Sequence, residues 1–234
     1  MKKYEAILFD MGYTLIYFYP SPDEIALRAY SDVGLKVDPE RLSAAWDEVW
    51  GEYLRQAAGA TFEVSEEHDR KSRLERERRV MAALGIYSEE KLLAFQERLE
   101  AIYRQPGTVR LFPETKSVLE TLRSRGFRLG IVSNWGWNLP DFCEQVGISD
   151  YFEVILPSAR AGCSKPNPLI FHKAMDKVRV SPERALYVGD NYEFDVVGAR
   201  SAGMEAILID RSEGKARWDC PVIHSLEELF PLLE

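Results

Sequence analysis

The sequence predicts an α/β protein in which a parallel β-sheet carries helices on both faces and an all-helical segment interrupts the chain near its start. Three observations lead to this fold class. A short apolar run, YEAILF (4–9), has the composition of a buried strand. From about 21 to 105 the pattern is helical, with almost no strand signal. From about 127 onwards, apolar runs alternate with helical segments, which is typical of a parallel sheet covered on both faces.

Four helices are predicted in the inserted segment. The first, SPDEIALRAYSDVG (21–34), begins with a Ser-Pro-Asp-Glu capping signal and ends at a glycine. The second covers 38–59, and a charged third helix covers about 65–84. A fourth follows over about 88–104, before Pro and Gly residues close the segment. The second helix carries one apolar face at helical spacing, made of Leu42, Ala45, Trp46, Val49 and Tyr53.

Four further strands follow the insert, and helical segments separate them. Together with the first strand they predict a Rossmann-like, doubly wound sheet. We expect an α/β core made of residues 1–18 and 107–234, interrupted by a helical domain over 19–106. The four strands are FRLGIVSN (127–134), FEVILP (152–157), ALYVGD (185–190) and EAILID (205–210).

The composition excludes several classes of partner. Of 234 residues, 46% are hydrophobic and 29% charged, and the formal net charge is −8. An acidic chain without a basic patch argues against nucleic acid or an anionic membrane as partner. No apolar run is long enough for a signal peptide or a membrane span, and the three cysteines match no zinc or disulfide pattern. We expect a soluble cytoplasmic protein that acts on a small molecule; its oligomeric state stays open.

Small polar and charged residues stand where the predicted strands end. In open parallel sheets, ligands bind beyond the carboxyl ends of the strands. Carboxylates brought together there repel one another, and a hard cation such as Mg²⁺ relieves the repulsion. A cation, a lysine and hydroxyl or amide donors describe a site for phosphoryl chemistry, in which a carboxylate can act as the nucleophile. The residues concerned are Asp10, Ser133, Asn134, Asp190 and Asp195, with Lys165 in a loop that leads into a helix.

Each of these residues alone has an ordinary structural explanation. An Asp after a strand is usually a helix cap or a turn residue, and Gly-Asp is a common turn pair. The combination is more informative, because chain order, strand context and residue type all agree.

Four motifs in series resemble those of the haloacid dehalogenase-like hydrolase superfamily. They are FDMGYTL with Asp10 and Thr14, IVSN with Ser133, SKPNPLIF with Lys165, and YVGDNYEFDVVGARSAGM with Asp190 and Asp195. Any one motif is weak, but the four together cover nearly the whole chain. The helical insert directly after the first motif resembles the family's type-one cap, which closes over the site and selects the substrate.

The resemblance implies a hydrolase, and more narrowly a Mg²⁺-dependent phosphatase of a small phosphomonoester. Asp10 would attack the substrate to form an aspartyl ester that water then hydrolyses, and Lys165 would neutralise Asp10 and the transferring group. The implied metal-binding set is Asp10, Asp190, Asp195 and the main-chain carbonyl of Gly12. The implied phosphate-binding set is Thr14, Ser133, Asn134 and Lys165.

Gly12 departs from the family pattern. Phosphatases of the family normally carry a second Asp there, which protonates the leaving oxygen and later takes a proton from water. Glycine keeps the main-chain carbonyl but cannot move a proton. General acid–base catalysis contributes about 10²–10⁴-fold, so we expect a slow phosphatase or one restricted to good leaving groups, unless Tyr13 or an acid of the cap takes over.

The missing Asp leaves alternatives open. The family's 2-haloacid dehalogenases also lack it and need no Mg²⁺. Their fourth motif, however, resembles Ser-Asn at the place where this chain has Gly189-Asp190. Without a metal, Asp190 would repel a haloacid carboxylate. Phosphonatases have a small residue at the same place but need a cap lysine, and none stands out here. The last alternative is a catalytically impaired phosphate-binding protein.

Overall fold

Eight strands form two sheets in the computed structural model, which describes residues 3–57, 59–212 and 217–234. The larger sheet has six parallel strands in the order β5-β4-β1-β6-β7-β8, and β2 pairs with β3 in a separate two-stranded sheet. The strands are β1 (Ala6–Phe9), β2 (Ile16–Phe18), β3 (Val109–Leu111), β4 (Arg128–Ser133), β5 (Val154–Pro157), β6 (Ala185–Gly189), β7 (Glu205–Ile209) and β8 (Val222–Ile223).

Strand β1 lies at the centre of the large sheet because all four of its side chains are apolar and fully buried. Burial of Ile7, Leu8 and Phe9 stabilises by about 1.5–3 kcal/mol each. Phe9 pairs with Ile131 of β4 on one side and with Val188 of β6 on the other. The carboxyl ends of these three strands therefore share one edge of the sheet.

Helices follow β4, β5 and β6, which confirms the predicted alternation of strands and helices. A π-helical turn, Tyr192–Val197, follows β6 directly. The helices are α1 (Pro22–Asp32), α2 (Pro39–Ala57), α3 (Glu66–Ala83), α4 (Glu89–Tyr103), α5 (Thr115–Ser124), α6 (Leu139–Gln145), α7 (Ser158–Ala161), α8 (Pro168–Val178), α9 (Gly198–Ser201) and α10 (Leu229–Leu232). The fold class is thus the predicted one, a parallel sheet with flanking helices and an all-helical insert. No helix among the described residues has both the length and the apolar character needed to cross a membrane.

The chain divides into two compact units. The α/β unit comprises the described residues of Met1–Tyr17, Ala58–Val64 and Leu111–Glu234, and the helical unit comprises Phe18–Ala57 and Ser65–Arg110. This division differs from the predicted ranges chiefly at 58–64, a stretch inside the helical insert. The assignment of 1–18 with 107–234, and of 19–106, as folding domains stays a prediction.

Within the α/β unit, the stretch 59–64 contacts the loop after α7. The amide of Phe62 donates a hydrogen bond to the carbonyl of Gly162 at 2.9 Å. Gly162 has a φ of +71°, and a Cβ there would lie 2.7 Å from the Cγ2 of Val64. A side chain at position 162 would therefore displace this stretch.

The helical unit has its own apolar core. In α2, Leu42, Ala45 and Val49 of the predicted apolar face are buried, while Trp46 and Tyr53 are half-buried. The core joins all four helices of this unit. Its centre includes the stacked rings of Tyr30 in α1 and Phe95 in α4, whose ring centres lie 4.1 Å apart.

Candidate active site

A buried cluster of one lysine and two carboxylates lies at the carboxyl edge of the large sheet. Asp10 leaves β1 with its amide bonded to the carbonyl of Val188 at 2.9 Å. The Nζ of Lys165 lies 2.6 Å from Oδ1 of Asp10 and 2.5 Å from Oδ1 of Asp195. The three residues are only 7%, 3% and 1% exposed, in the order Asp10, Lys165, Asp195. The predicted juxtaposition of the first acid with the lysine is therefore present.

Two neighbours hold Lys165 in place. The side chain of Asn134, just past β4, accepts a hydrogen bond from the amide of Lys165 at 2.7 Å and donates one to its carbonyl at 3.0 Å. The hydroxyl of Tyr187 lies 3.1 Å from Nζ and donates to the carbonyl of Val132 at 2.6 Å. Burial alone would lower the pKa of Lys165, but the charges of the two carboxylates raise it above its ordinary value.

Asp195 reaches the lysine from the π-helical turn, an uncommon element that is frequent at functional sites. Its Oδ2 accepts a hydrogen bond from the amide of Asn191 at 2.9 Å. The carboxylate packs directly against Gly189, where a Cβ would lie 2.3 Å from the Cγ of Asp195. The glycine at the end of β6 is therefore required for this approach.

Three carboxylates gather close enough to share a cation. One ligand oxygen from each of Asp10, Asp190 and Asp195 lies within 4.8 Å of the others. Burial, and then the charges of Asp10 and Asp195, raise the pKa of Asp190 to about 8. Lys165 compensates for only one of the negative charges. Such a set of hard oxygen ligands with excess negative charge suits a divalent cation such as Mg²⁺.

The remaining predicted residues lie on the same edge or on the turn after β1. Ser133 is buried at the end of β4, beside Pro157 of β5. Thr14 is fully buried, and its Oγ1 has no hydrogen-bond partner among the described residues. Gly12 forms a single bridge with Ile16. The structure thus places Thr14 and Gly12 on the loop that carries Asp10, with Ser133 on the neighbouring strand.

The space beside Gly12 borders on an aromatic ring. A Cβ built at this glycine would meet the Cζ3 of Trp135 at 3.8 Å, an ordinary contact, and no other described residue apart from its two chain neighbours has an atom within 4 Å. Position 12 therefore has room for a Cβ, and the nearest group outside the turn is apolar.

Several residues of the site were not singled out from the sequence. Tyr187 is the single phenol in an otherwise aliphatic strand, and this context could have indicated a buried hydrogen-bonding group. Arg211 stands two positions after β7, just beyond Asp210, so the strand-end argument applied to the first strands points to its neighbourhood. Its Nη2 donates to the carbonyl of Thr14 at 2.7 Å.

Comparison with known proteins decides the family. A family model described as haloacid dehalogenase-like hydrolase matches residues 4–203. The chain belongs to the haloacid dehalogenase-like hydrolase family. The resemblance seen in the four motifs is thereby confirmed.

Relatives within this family carry different names. The chain is 34% identical over 156 residues to haloacid dehalogenase-like hydrolase domain-containing protein 3 of Bos taurus, covering 64% of this chain and 62% of that protein. It thus spans less than two thirds of that relative's length. It is 31% identical over 221 residues to glyceraldehyde 3-phosphate phosphatase of Methanopyrus kandleri, covering 89% and 85%. Among solved structures, a 2-haloacid dehalogenase from Pseudomonas syringae is 29% identical with a TM-score of 0.67, covering 98% and 97%.

Proposed function

We propose that this haloacid dehalogenase-like hydrolase is a Mg²⁺-dependent phosphatase that hydrolyses a small phosphomonoester through a phosphorylated Asp10. The observation that carries the proposal is the 2.6 Å ion pair between Asp10 and Lys165, beside two further acids. The lysine compensates the charge of the attacking carboxylate, while the remaining acids call for a cation. A phosphatase name among the relatives agrees with this assignment.

The chain's own groups define where Mg²⁺ would bind. The ligands would come from Asp10, Asp190 and Asp195 and from the main-chain carbonyl of Gly12. The cation would neutralise the phosphoryl oxygens and favour attack by an anionic nucleophile. Position 12 contributes through its backbone, so glycine is compatible with this role.

Asp10 supplies the nucleophile. Lys165 holds Oδ1, which leaves Oδ2 as the oxygen that attacks phosphorus. The new Oδ2–P bond forms as the bond between phosphorus and the leaving oxygen breaks, and the leaving oxygen takes a proton from solvent. Water then attacks phosphorus and the Oδ2–P bond breaks, which returns the carboxylate and releases phosphate. Lys165 balances the negative charge of the phosphoryl oxygens in both steps.

Phosphate binding is assigned to groups at the ends of β1 and β4. Ser133 offers its hydroxyl, and Lys165 its ammonium. Asn134 uses one amide hydrogen to hold the Lys165 carbonyl, and the second remains for a phosphate oxygen. Thr14, whose Oγ1 has no hydrogen-bond partner in the part of the chain that the structure describes, completes the set that we propose.

The lack of a proton donor at Gly12 restricts the leaving groups that the proposed reaction can release quickly. Because position 12 has no side chain, the leaving oxygen receives no proton from it, and the reaction is expected to be slow for alkyl phosphates. Removal of general acid catalysis typically costs about 10²–10⁴-fold. Aryl phosphates, whose leaving groups are stable anions, are therefore the substrates of choice in a first assay. The net charge of −8 also favours a small molecule over nucleic acid, and a cytoplasmic location stays part of the proposal.

The test is hydrolysis of p-nitrophenyl phosphate with and without Mg²⁺. We expect turnover that requires Mg²⁺ and is abolished in Asp10→Asn, while Asp141→Asn, an exposed acid of α6, keeps wild-type turnover. Acid quenching followed by mass spectrometry should find phosphate bound to the peptide that contains Asp10. Turnover that survives in Asp10→Asn would rule out the proposed nucleophile.

A metal-independent 2-haloacid dehalogenase is the second candidate. It is favoured by the 29% identity to a solved 2-haloacid dehalogenase and by the lack of a proton donor at Gly12, since halide leaves without a proton. The third acid, Asp190, argues against it, because the family's dehalogenases resemble Ser-Asn where this chain has Gly189 and Asp190. Halide release from a 2-chlorocarboxylic acid in the presence of EDTA would establish this activity instead. Inactivity in both assays with an intact fold would favour a phosphate-binding protein.

A further inference from the structure

The turn after Asp10 carries two of the groups that the proposed chemistry uses. The amides of Leu15 and Ile16 both donate to the carbonyl of Met11, at 3.0 and 3.1 Å, and so close the turn. Tyr13, inside it, has a φ of 52°, in the left-handed region. The direction of the Gly12 carbonyl and the departure of Asp10 from β1 therefore depend on one tight loop.

Segments distant in sequence hold this loop by its carbonyls. The carbonyl of Leu15 accepts hydrogen bonds from the amide of Phe112 at 3.1 Å and from Oγ1 of Thr115 at 2.9 Å. The preceding carbonyl, that of Thr14, accepts from Nη2 of Arg211 at 2.7 Å. Two successive carbonyls of the loop are thus fixed from outside.

Arg211 is itself firmly seated. Its Nη1 donates to Oε1 of Glu114, at the start of α5, and its guanidinium lies 3.7 Å from the centre of the Phe112 ring. The side chains of Arg211 and Glu114 are only 17% and 12% exposed. Burial alone would raise the pKa of Glu114, but the hydrogen bond from Arg211 lowers it. The same Oε1 accepts from the amide of Leu226 at 3.4 Å.

The ion pair with Glu114 would by itself compensate the charge of Arg211. The contact with the loop after Asp10 is therefore not needed for charge compensation. The rigid planar fork of a guanidinium, however, can join two partners at fixed angles, which a lysine cannot do. Here one arm of the fork holds α5 and the other holds the loop. We propose that Arg211 is a positioning residue that fixes the turn after Asp10, and with it the direction of the Gly12 carbonyl. Its effect on catalysis rests on the proposed function, whereas its effect on the turn does not.

The test compares Arg211→Met and Arg211→Lys with Arg184→Met. Arg184 is a suitable control, since it pairs with Glu5 at 2.8 Å and both residues directly precede strands, at the opposite edge of the same sheet. Three properties are measured: amide hydrogen exchange of residues 11–16, Mg²⁺ binding by calorimetry, and kcat and KM for p-nitrophenyl phosphate. The first does not depend on activity.

We expect faster exchange at Leu15 and Ile16 in Arg211→Met, with Mg²⁺ affinity and kcat each lowered roughly 10-fold, as is usual for residues that orient metal ligands. KM should stay close to that of the wild type. Arg211→Lys should recover part of each loss, because an ammonium can still reach the Thr14 carbonyl. Wild-type exchange over 11–16 in Arg211→Met, or equal losses in Arg184→Met, would overturn the proposal.

Should Arg211→Met fail to fold, Glu114→Gln provides a second test. It keeps the shape of the partner and removes its charge, so the guanidinium is held less firmly and exchange at Leu15 and Ile16 should rise by a smaller factor. Unchanged exchange in that variant would contradict the role of Arg211. A wild-type protein without Mg²⁺-dependent turnover would refute the proposed function, while the exchange data would still decide whether Arg211 holds the turn.

Discussion

Two sets of buried acids, one in each unit of this protein, have different kinds of partner. In the α/β unit, Asp10 and Asp195 share the ammonium of Lys165 at 2.6 and 2.5 Å. In the helical unit, Glu77 of α3 is 8% exposed and accepts a hydrogen bond from the phenol of Tyr30 at 2.5 Å. Burial raises the pKa of Glu77 to about 7, although Tyr30 and the neighbouring Arg76 oppose the rise.

The difference separates a reactive acid from a structural one. A carboxylate beside a buried ammonium has its charge compensated and can serve as a nucleophile or a metal ligand. A buried carboxyl group whose hydrogen-bond partner is an uncharged phenol keeps a raised pKa, because burial disfavours its charged form. Burial of an acid alone therefore does not indicate a catalytic site.

The largest effect is expected when the ammonium group of Lys165 is removed from the α/β unit. Lys165→Met leaves two buried carboxylates without their partner, which should lower the free energy of unfolding by about 3–5 kcal/mol and reduce turnover by more than about 10³-fold. Chemical denaturation and p-nitrophenyl phosphate assays measure the two effects. Lys173→Met is the control, because Lys173 is half-buried and binds the carbonyl of Ala161. Similar behaviour of both variants would contradict the role assigned to the charge of Lys165.

The next effect concerns the missing proton donor. Gly12→Asp should raise kcat for an alkyl phosphate by roughly 100-fold, while p-nitrophenyl phosphate gains much less because its leaving group needs no proton. A Cβ at this position would meet Trp135 at 3.8 Å, an ordinary contact, so the backbone there has room for a Cβ. Gly12→Ala adds the Cβ without the acid and should leave the ratio of the two substrates unchanged. An equal gain for both substrates would count against the proton-transfer explanation.

A third effect is the pH dependence of metal binding. Asp190 must lose its proton to bind Mg²⁺, and its pKa in the metal-free protein is raised to about 8. The apparent affinity should therefore rise with pH by up to about 10-fold per unit below pH 8 and level off above it. Calorimetry in buffers of different ionisation enthalpy should detect proton release at pH 7. Asp190→Asn should bind weakly without this pH dependence, and a flat wild-type profile would refute the assignment.

The smallest effect is expected in the helical unit. Because the folded pKa of Glu77 lies above its ordinary value of 4.5, the folded state holds an extra proton at intermediate pH, and stability falls as pH rises from about 4.5 to 7. Glu77→Gln removes this loss and keeps an acceptor for Tyr30, so it should stabilise the protein at pH 8 and have very little effect at pH 4. Denaturation at both pH values checks this. Glu97→Gln, at an exposed position of α4, should show no such pH-dependent gain.

The sequence predicts the fold and the centre of the site because both follow from local patterns. Apolar runs mark the strands, and parallel strands bring their carboxyl ends to one edge. Asp10, Ser133 and Asp190 each end a strand, so their shared location needs no knowledge of side-chain contacts. The loop with Lys165 is placed by the same topology.

Other features depend on contacts that no local pattern records. The bond from Arg211 to Thr14 joins residues 197 positions apart. The reciprocal bonds of Asn134 with the Lys165 backbone depend on two loops meeting in one geometry. Glu77 lies in a helix so rich in charge that its sequence suggests exposure, yet tertiary packing buries it.

The contact of Phe62 with Gly162 bears on the construction of chimeric proteins. An exchange of 19–106 as one block would also replace the stretch 59–64, which belongs to the α/β unit, and with it the hydrogen bond to the loop that precedes Lys165. A graft that retains 59–64 from the recipient, with junctions in α2 and before α3, would transfer the helices and leave that loop supported. The insert is therefore better exchanged as two separate segments, one on each side of 59–64, than as one block.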